Sequence, residues 1–325
     1  MSVITPQIDV FLGAEDIEQA LRHDVVAGLQ TTPKRLPPKW FYDDRGSELF
    51  DAITRLPEYY LTRREREILY SEAVTLARIT QADTLVELGS GTSEKTLLLL
   101  DGMSQQGTLQ RYVPFDVSEA TLRTAAHGIA ERYPGVSVHA VVGDFSRHLG
   151  HLPEGGRRVV AFLGSTIGNL HPAERVGFLG ALHTTLTSDD WLLLGTDLVK
   201  DQTRLEAAYN DVAGVTSAFN LNILSVLNRE LGATFAPDEF EHVARFDTDN
   251  EWIEMLLRSR KGQTVRIEGV DLSVDFARDE LMQTEISTKF RRDGAERELD
   301  AAGFSVERWW TDSHDDFALS LSRPR

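Results

Sequence analysis

The sequence of 325 residues predicts an α/β protein, in which a mostly parallel sheet ends in an antiparallel strand and a smaller α+β domain is attached. Two observations predict this fold class. Five short apolar stretches alternate with helical patterns between residues 84 and 196, and such alternation is typical of parallel strands joined by crossover helices. After Asp197 a long helical stretch precedes period-2 alternation, which favours an antiparallel sheet buried on one side.

The N-terminal part is expected to be helical, then extended. A helical pattern covers Asp16–Leu29, and three of the nine residues in Thr31–Lys39 are proline. Proline fixes φ and keeps the preceding residue out of the α region, so this stretch should be extended. Trp40–Tyr60 is rich in aromatic and charged residues, and a second helical pattern runs from Arg63 to Ile79.

The alternating region supplies the predicted sheet. Its five strands are Thr84–Leu88, Gln110–Phe115, Val136–Val142, Val159–Leu163 and Trp191–Gly195. Its helices are Glu94–Leu100, Ser118–Arg132 and Pro172–Leu186. Near the C-terminus a predicted helix, Ala295–Ala302, precedes two strands, Phe304–Thr311 and Phe317–Ser322. These two strands are expected to pair antiparallel and to close the same sheet.

The region between these parts is interpreted as an insertion. Gln202–Leu231 is helical in pattern, and four alternating stretches follow it: Phe240–Phe246, Trp252–Ser259, Thr264–Ile267 and Glu285–Phe290. In the simplest arrangement the insertion and the N-terminal segment form a substrate-binding domain. The predicted boundaries are residues 61–199 and 289–325 for the sheet domain, and residues 9–60 and 200–288 for the smaller domain.

Composition excludes several functions. The 51 acidic residues outnumber the 34 basic ones, which gives a formal charge of −17, whereas nucleic-acid binding needs clustered Lys and Arg. The absence of cysteine excludes disulfides and thiol chemistry, and the pair His148 and His151 has no third metal ligand nearby. No signal peptide or membrane-length apolar stretch is visible. We therefore expect a cytoplasmic monomer without metal, nucleic-acid or membrane partners.

The segment Val86–Lys95 is the most informative local motif. A buried strand runs into Gly89 and Gly91 and a helix follows, so the backbone can approach a ligand closely while the helix N-terminus offers free N–H groups. A dinucleotide fingerprint would need glycine at the position of Glu94, whose carboxylate would also repel a pyrophosphate. The motif therefore argues against NAD.

The motif instead resembles the first motif of class I S-adenosylmethionine (SAM)-dependent methyltransferases, although Ser93 stands where a third glycine is usual. In that class acidic residues after the second and third strands contact the ribose and the adenine, and Asp116 and Asp144 match those positions. Each Asp could instead cap a helix, but three acidic positions at one sheet edge favour a ligand site. The resemblance implies a Rossmann-like fold and a SAM site. The matching cofactor residues are Gly89, Gly91, Lys95, Asp116, Asp144 and Phe145.

Longer motifs carry a more specific resemblance. The segments Phe41–Asp51 and Leu56–Thr62, the block Phe162–Asn169 and the run Gly195–Asp197 with the following Lys200-Asp201 are similar to motifs of the histidine-specific Nα-methyltransferases of ergothioneine biosynthesis. The similarity covers essentially the whole chain. It implies three successive methyl transfers from SAM to the α-amine of L-histidine, with hercynine as the product.

The same resemblance implies a substrate site. Its residues would be Tyr42, Tyr59, Asn169, Tyr209, Met255, Glu285 and Ser287. In the family, the Tyr and Asn positions hold the amino-acid end of the substrate and the Glu and Ser positions hold the imidazole. Residues two apart share one face of a strand, and a carboxylate beside a hydroxyl can accept from one imidazole nitrogen and donate to or accept from the other. From the residues alone, Asn169 could equally cap a helix, and Tyr209 and Met255 could be core residues.

Alternatives remain at this point. A relative could methylate tryptophan or prenylated tryptophan, but an indole has one donor and no acceptor and gains little from Glu285 and Ser287. A methyltransferase that modifies proteins would have to admit a peptide-bonded residue into a pocket built for a free carboxylate. A non-catalytic SAM-binding protein would form no S-adenosylhomocysteine with any amino acid.

Overall fold

The structure is a computed structural model that describes residues 4–91 and 95–325. The strands in these ranges are β1 (Gln7–Val10), β2 (Lys34–Arg35), β3 (Thr84–Leu88), β4 (Arg111–Asp116), β5 (Ser137–Val142), β6 (Arg158–Phe162), β7 (Trp191–Asp197), β8 (Phe240–Asp247), β9 (Trp252–Ser259), β10 (Gln263–Ile267), β11 (Leu272–Phe276), β12 (Leu281–Thr288), β13 (Phe304–Thr311) and β14 (Phe317–Pro324). The helices are α1 (Ala14–Leu29), α2 (Asp44–Thr54), α3 (Leu61–Thr80), α4 (Thr96–Gln105), α5 (Glu119–Arg132), α6 (Pro172–Thr185), α7 (Gln202–Tyr209), α8 (Val215–Leu231) and α9 (Arg292–Ala301). None of the helices in these ranges is long and apolar enough to span a membrane.

The described residues form two compact units. The first unit contains residues 4–13, 63–91, 95–198 and 290–325, and the second contains residues 14–62 and 199–289. The first unit is built on an eight-stranded sheet with the order β1-β5-β4-β3-β6-β7-β14-β13. Its first six strands are parallel, and β14 pairs antiparallel with both β7 and β13. The predicted α/β fold with an antiparallel strand closing the sheet is thereby confirmed.

The centre of this sheet carries the core of the first unit. Strands β3, β6 and β7 are buried along their whole length, because helices that cross between parallel strands cover both faces of such a sheet. Leu88 lies in register with Phe115 on one side and with Phe162 on the other. The carboxyl ends of β3, β4 and β6 therefore meet at one edge, where open α/β sheets bind ligands.

Strand β1 corrects the predicted organisation of the N-terminus. The predicted smaller domain includes residues 9–60, but β1 pairs parallel with β5 at the sheet edge, from Gln7 opposite His139 to Val10 opposite Val142. Residues up to Gly13 consequently belong to the first unit. Four residues are too few to establish a period-2 pattern, so the sequence gives little sign of this strand.

The second unit contains a four-stranded sheet with the order β2-β12-β9-β8 and a separate β10–β11 hairpin. Strands β8, β9 and β12 pair antiparallel, and α8 buries Phe219, Ile223 and Leu227 within this unit. The predicted antiparallel sheet is therefore present, but its fourth member is different. Thr264–Ile267 pairs with β11, a strand that the sequence analysis missed.

The predicted continuous helix over 202–231 is wrong. The structure has two helices, α7 and α8, with a break at Asn210–Gly214. Gly214 adopts a left-handed conformation with φ +74°, and the Asp211 carboxylate accepts hydrogen bonds from the Val215 N–H at 2.9 Å and the Thr216 N–H at 2.8 Å. Asp211 thus supplies acceptors to the first turn of α8, and the chain turns between the two helices.

The last strand of the insertion is also displaced from its prediction. The sequence analysis predicted a strand at Glu285–Phe290, whereas β12 runs from Leu281 to Thr288. Phe290 belongs to the first unit, where its N–H donates to the Asp197 carbonyl at 2.7 Å. The predicted helix start at Glu94 lies outside the described residues, and α4 begins at Thr96.

Candidate active site

The glycine turn of the first unit leaves space for a ligand. Gly89 and Gly91 adopt left-handed conformations with φ of +69° and +47°, which glycine reaches at no steric cost. A Cβ atom at either position would meet no atom of the described residues, its chain neighbours apart, within 4 Å. The turn is thus an open cradle at the carboxyl edge of β3. Ser93 and Glu94, which separate this motif from a dinucleotide fingerprint, lie outside the described residues.

Asp116 joins the glycine turn to the end of β4. One carboxylate oxygen accepts from the Gly91 N–H at 2.9 Å and the other from the Ser118 N–H at 3.0 Å. Burial raises the pKa of Asp116 above its ordinary value. A carboxylate has about four lone-pair sites, so two backbone bonds leave each oxygen able to accept from a ligand hydroxyl.

Glu87, the acidic residue before the turn, ties three elements together. It is almost fully buried and accepts hydrogen bonds from the Tyr112 hydroxyl at 2.7 Å and from the Thr96 hydroxyl. Burial raises the pKa of Glu87 to about 7. Because Tyr112 lies on β4 and Thr96 begins α4, this carboxyl fixes the helix start relative to the two strands.

Lys95 is held by a residue that the sequence analysis missed. Its ammonium forms an ion pair with Glu65 of α3, whose side chain is buried. The other Glu65 oxygen accepts from the Gly164 N–H at 2.7 Å. Glu65 thereby links the glycine motif to the turn after β6. It lies among Arg63, Arg64, Arg66 and Glu67, so nothing in the sequence distinguishes it from a solvated helix face.

The residues after β5 form a capped turn. The Asp144 carboxylate accepts from the Ser146 N–H at 2.8 Å and from the Ser146 hydroxyl at 2.6 Å. The half-buried Phe145 ring packs edge-on against Phe162 at 5.2 Å and Phe178 at 5.7 Å. Both residues lie at the carboxyl edge of the sheet, and Phe145 contributes to the core there.

The turn after β6 presents Asn169. Gly164 and Ser165 are both left-handed, with φ of +73° and +58°, and the Ser165 hydroxyl accepts from the Asp197 N–H at 2.9 Å. The Asn169 side chain is half-buried and has no hydrogen-bond partner among the described residues. The helix-cap interpretation of Asn169 is wrong, since α6 has His171 at its N-cap.

In the second unit, three side chains form a triangle of hydrogen bonds. The Tyr209 hydroxyl lies 2.7 Å from the Ser287 hydroxyl, and the buried Lys289 ammonium donates to Ser287 at 2.8 Å and to Tyr209 at 3.0 Å. The same ammonium lies 4.6 Å from the centre of the Tyr209 ring. The structure thus brings Tyr209 and Ser287 into direct contact. Lys289 is not among the residues predicted from the sequence, although it contacts two of them.

Glu285 is the neighbour of this triangle along β12. It is 8% exposed, and none of the described residues donates a hydrogen bond to its carboxyl group. Burial raises the pKa of Glu285 to about 7, although the charge of Lys289 opposes that shift. A buried carboxyl group that receives no hydrogen bond is costly for folding, and groups with perturbed pKa values are concentrated at functional sites.

A row of aromatic rings extends from Tyr209. The Tyr59 ring meets Tyr209 edge-on at 6.2 Å and Phe50 at 6.3 Å, and Phe50 meets Tyr42 at 5.6 Å. Met255 is buried on β9 directly opposite Glu285. The structure therefore groups the predicted substrate residues of this unit, with Tyr42, 38% exposed, at the outer end of the row.

A chain of buried hydrogen bonds connects β12 to Tyr209. Thr284 forms a bulge in β12, and its hydroxyl donates to the Asn220 side chain at 2.7 Å. Asn220 lies 2.8 Å from Nδ1 of His242, whose Nε2 lies 2.8 Å from the Tyr209 carbonyl. Burial lowers the pKa of His242, so the ring is neutral: Nε2–H donates to Tyr209, and Nδ1 accepts from Asn220.

Among the described residues, no group of three or more His, Asp or Glu side chains is arranged to hold a metal ion. His148 accepts at Nδ1 from the Asp144 N–H at 3.0 Å, and His151 stacks on Phe11 with 4.1 Å between ring centres. Both histidines of the pair that the sequence analysis weighed as metal ligands therefore have other contacts.

Comparisons with known proteins identify the family to which this chain is similar. A family profile described as a histidine-specific, SAM-dependent methyltransferase matches residues 21–324. The chain is 56% identical over 312 residues to a histidine N-alpha-methyltransferase of Mycolicibacterium smegmatis, an alignment that covers 96% of this chain and 97% of that protein. The histidine N-alpha-methyltransferase of Mycobacterium tuberculosis is also 56% identical, over 311 residues and the same shares of the two chains.

A fungal relative is more distant and longer. The ergothioneine biosynthesis protein 1 of Neurospora crassa is 32% identical over 286 residues, which cover 86% of this chain and 32% of the fungal protein. The alignment therefore includes about one third of the length of the fungal protein.

Proposed function

The chain belongs to the family of histidine-specific, SAM-dependent methyltransferases, and we propose from this premise that it transfers three methyl groups from SAM to the α-amine of L-histidine. The product is the trimethylated betaine hercynine, and the reaction is the first step of ergothioneine biosynthesis. The family membership confirms the resemblance inferred from the sequence motifs.

The observation that carries the choice of histidine is the buried Glu285 beside Ser287. Glu285 has no hydrogen-bond partner among the described residues, and Ser287 projects from the same face of β12. A neutral imidazole offers one N–H donor and one nitrogen acceptor. Glu285 is suited to accept from the donor, and the Ser287 hydroxyl is suited to the acceptor.

The first unit fits SAM. The open turn at Gly89 and Gly91 allows close approach of a ligand to the backbone, and Asp116 keeps acceptor capacity for ribose hydroxyls. The proposed cofactor residues are Gly89, Gly91, Lys95, Asp116, Asp144 and Phe145. Lys95 acts through its ion pair with Glu65, which secures the turn. When bound, SAM supplies an electrophilic methyl group on its sulfonium.

The protein's task is then mainly to position the amine. Good alignment of two reactants can contribute roughly 7–11 kcal/mol to lowering the barrier. The amine must attack as a neutral species, so one proton leaves the nitrogen before each of the three methyl transfers.

The remaining polar groups hold the amino-acid end of the substrate. Asn169, Tyr42, Tyr59 and Tyr209 provide amide and hydroxyl groups for the carboxylate and the amine. As methyl groups accumulate, the nitrogen becomes a permanent cation, which the tyrosine and asparagine oxygens and the faces of the aromatic rings stabilise.

The test is mass spectrometry of L-histidine incubated with the protein and SAM, with L-tryptophan in a parallel reaction. We expect three methyl groups on histidine, all on the α-nitrogen by fragmentation, and three equivalents of S-adenosylhomocysteine. Methylated tryptophan with unmodified histidine would overturn the roles of Glu285 and Ser287. Bound SAM without any methylated amino acid would overturn the proposed reaction.

A further inference from the structure

Lys289 is buried beside the residues proposed to hold the imidazole. It is 1% exposed, and its backbone N–H donates to the Glu251 carbonyl at 2.7 Å, which fixes the chain at the end of β12. Glu285, Ser287 and Lys289 are spaced two residues apart. In extended chain this spacing places all three side chains on one face.

The chemistry of lysine limits what its neighbours can do. An ammonium has three donors and no acceptor, so the bonds from Lys289 to Ser287 and Tyr209 each occupy a lone pair of a hydroxyl oxygen. Where Tyr209 also donates to Ser287, both lone pairs of the Ser287 oxygen are used and only its hydrogen remains. The adjacent positive charge further polarises the hydroxyl as a donor.

We propose that Lys289 is a specificity-determining residue, which sets Ser287 as the hydrogen-bond donor to the bare nitrogen of the imidazole while Glu285 accepts from the N–H. This assignment rests on the proposed function. A serine alone could either donate or accept, so it would not discriminate between ring nitrogens. With Lys289 in place, the site offers one donor and one acceptor in a fixed order.

The charge of Lys289 favours a neutral ring. An imidazolium has two N–H donors and no acceptor, so it would leave the Ser287 hydroxyl without an acceptor and bring a second cation near Lys289. The Lys289 ammonium acts electrostatically on the Glu285 carboxylate and favours its ionised form. A neutral imidazole therefore matches the pair in both charge and hydrogen bonding.

The first test needs no variant. The dissociation constants of L-histidine and of the 2- and 3-pyrrolyl isomers of pyrrolylalanine would be measured by calorimetry on the protein saturated with S-adenosylhomocysteine. Each isomer keeps a ring N–H and lacks the bare nitrogen. We expect both to bind roughly 10- to 100-fold more weakly than histidine, since a buried donor would lose its acceptor. Binding of either isomer as tight as that of histidine would overturn the proposal.

The second test assigns this discrimination to Lys289. In Lys289→Met, the ratio between pyrrolylalanine and histidine dissociation constants is expected to fall at least about threefold, because the hydroxyl is no longer polarised by a charge. Lys289→Arg should retain most of the ratio. Lys261→Met, the same change at a half-exposed lysine of the second unit, should leave the ratio as in the wild type.

A structural role gives a different result. If Lys289→Met weakened histidine and pyrrolylalanine equally, Lys289 would only support the fold and the proposal would be wrong. If Lys289→Met is too unstable to study, Lys289→Gln takes its place with the same expected fall in the ratio. If the wild type bound S-adenosylhomocysteine but neither methylated nor bound histidine, the proposed function itself would fail, which is distinct from an unchanged ratio in an active enzyme.

Discussion

At the scale of single residues, two buried glutamates show how the surroundings decide a role. The pKa of Glu87 and that of Glu285 are both raised to about 7 by burial. Glu87 accepts from two hydroxyl groups of its own unit, so its cost of burial is offset within the fold. Glu285 has no such donors among the described residues, and a ligand N–H would supply what the fold does not.

Glu285→Gln tests this interpretation. The amide keeps the size of the side chain but removes the charge, and a hydrogen bond to a charged group contributes about 1.5–3 kcal/mol. We expect KM for histidine to rise roughly 10- to 100-fold, with the affinity for S-adenosylhomocysteine unchanged. Glu254→Gln is the matched control, since Glu254 is paired with Arg245 and Gln283 on the same sheet. A similar rise in KM for both variants would contradict the role of Glu285.

The pH dependence follows from the same group. With a pKa of about 7 in the free protein, Glu285 is mostly ionised at pH 8.5 and about one tenth ionised at pH 6. The ratio of kcat/KM between wild type and Glu285→Gln cancels the ionisation of the substrate itself and reports the free protein. We expect this ratio to fall about tenfold as the pH is lowered from 8.5 to 6. A ratio independent of pH would mean that Glu285 does not act as a carboxylate.

The sequence predicted part of this site at the residue scale. The spacing of Glu285 and Ser287 placed both on one strand face, and the motif resemblance assigned their roles. Lys289 has the same spacing, but lysine is almost never fully buried unless it is paired, so its pattern indicates a solvated position. Its burial depends on Tyr209 of α7, a contact across 80 residues that no local pattern reveals.

At the scale of elements, variants of the glycine turn can distinguish an effect on stability from an effect on cofactor binding. Gly89→Ala puts a Cβ into open space at φ +69°, and Gly107→Ala does the same at φ +71° after α4. The left-handed conformation costs alanine about 1–2 kcal/mol, so both variants should lose similar stability in chemical denaturation. Only Gly89→Ala should weaken the binding of S-adenosylhomocysteine, with a dissociation constant about tenfold or more higher in calorimetry. Equal affinities of the two variants would show that the turn does not contact the cofactor.

The bulge in β12 sets the register of Glu285 and Ser287. Thr284→Val removes the hydroxyl whose single hydrogen lies between two buried acceptors, the Asn220 side-chain oxygen and the Met255 carbonyl at 3.0 Å. Both acceptors then lose this donor. We expect a loss of about 1–3 kcal/mol in the free energy of unfolding and a higher KM for histidine. Thr264→Val, on an exposed strand, should change stability by less than about 0.5 kcal/mol. A Thr284→Val protein with wild-type stability and KM would show that the bulge does not position Glu285 and Ser287.

The elements that the sequence did not predict share a physical cause. The strand β1 is four residues long and pairs at the edge of a sheet whose next strand, β5, is more than 120 residues away. The break between α7 and α8 depends on a capping Asp and a left-handed Gly inside an otherwise helical pattern. Long strands and helices that bury a whole face were predicted correctly because their apolar period repeats often enough to be recognised.

At the scale of the whole molecule, the alignment with the mycobacterial relatives covers both compact units. The alignments, at 56% identity, extend over 96% of the chain. They therefore include the second unit, where Glu285, Ser287 and Lys289 lie, as well as the sheet of the first unit. The fold of the first unit alone would not indicate histidine, since function depends on the site rather than on the fold. The substrate assignment therefore depends on the second unit.

The two ligands should consequently leave separable footprints in hydrogen exchange. S-adenosylhomocysteine alone is expected to slow amide exchange in the first unit, in peptides that cover Gly89–Gly91, Asp116–Ser118 and Asp144–Ser146. Addition of histidine is expected to protect α7 and β12, because ligand binding suppresses the local openings that expose their amides. Alanine, which shares the amino-acid end but has no ring, is the control and should not protect β12. If histidine and alanine protected β12 equally, the groups on this strand would not read the imidazole, and the substrate would have to be sought among other amino acids.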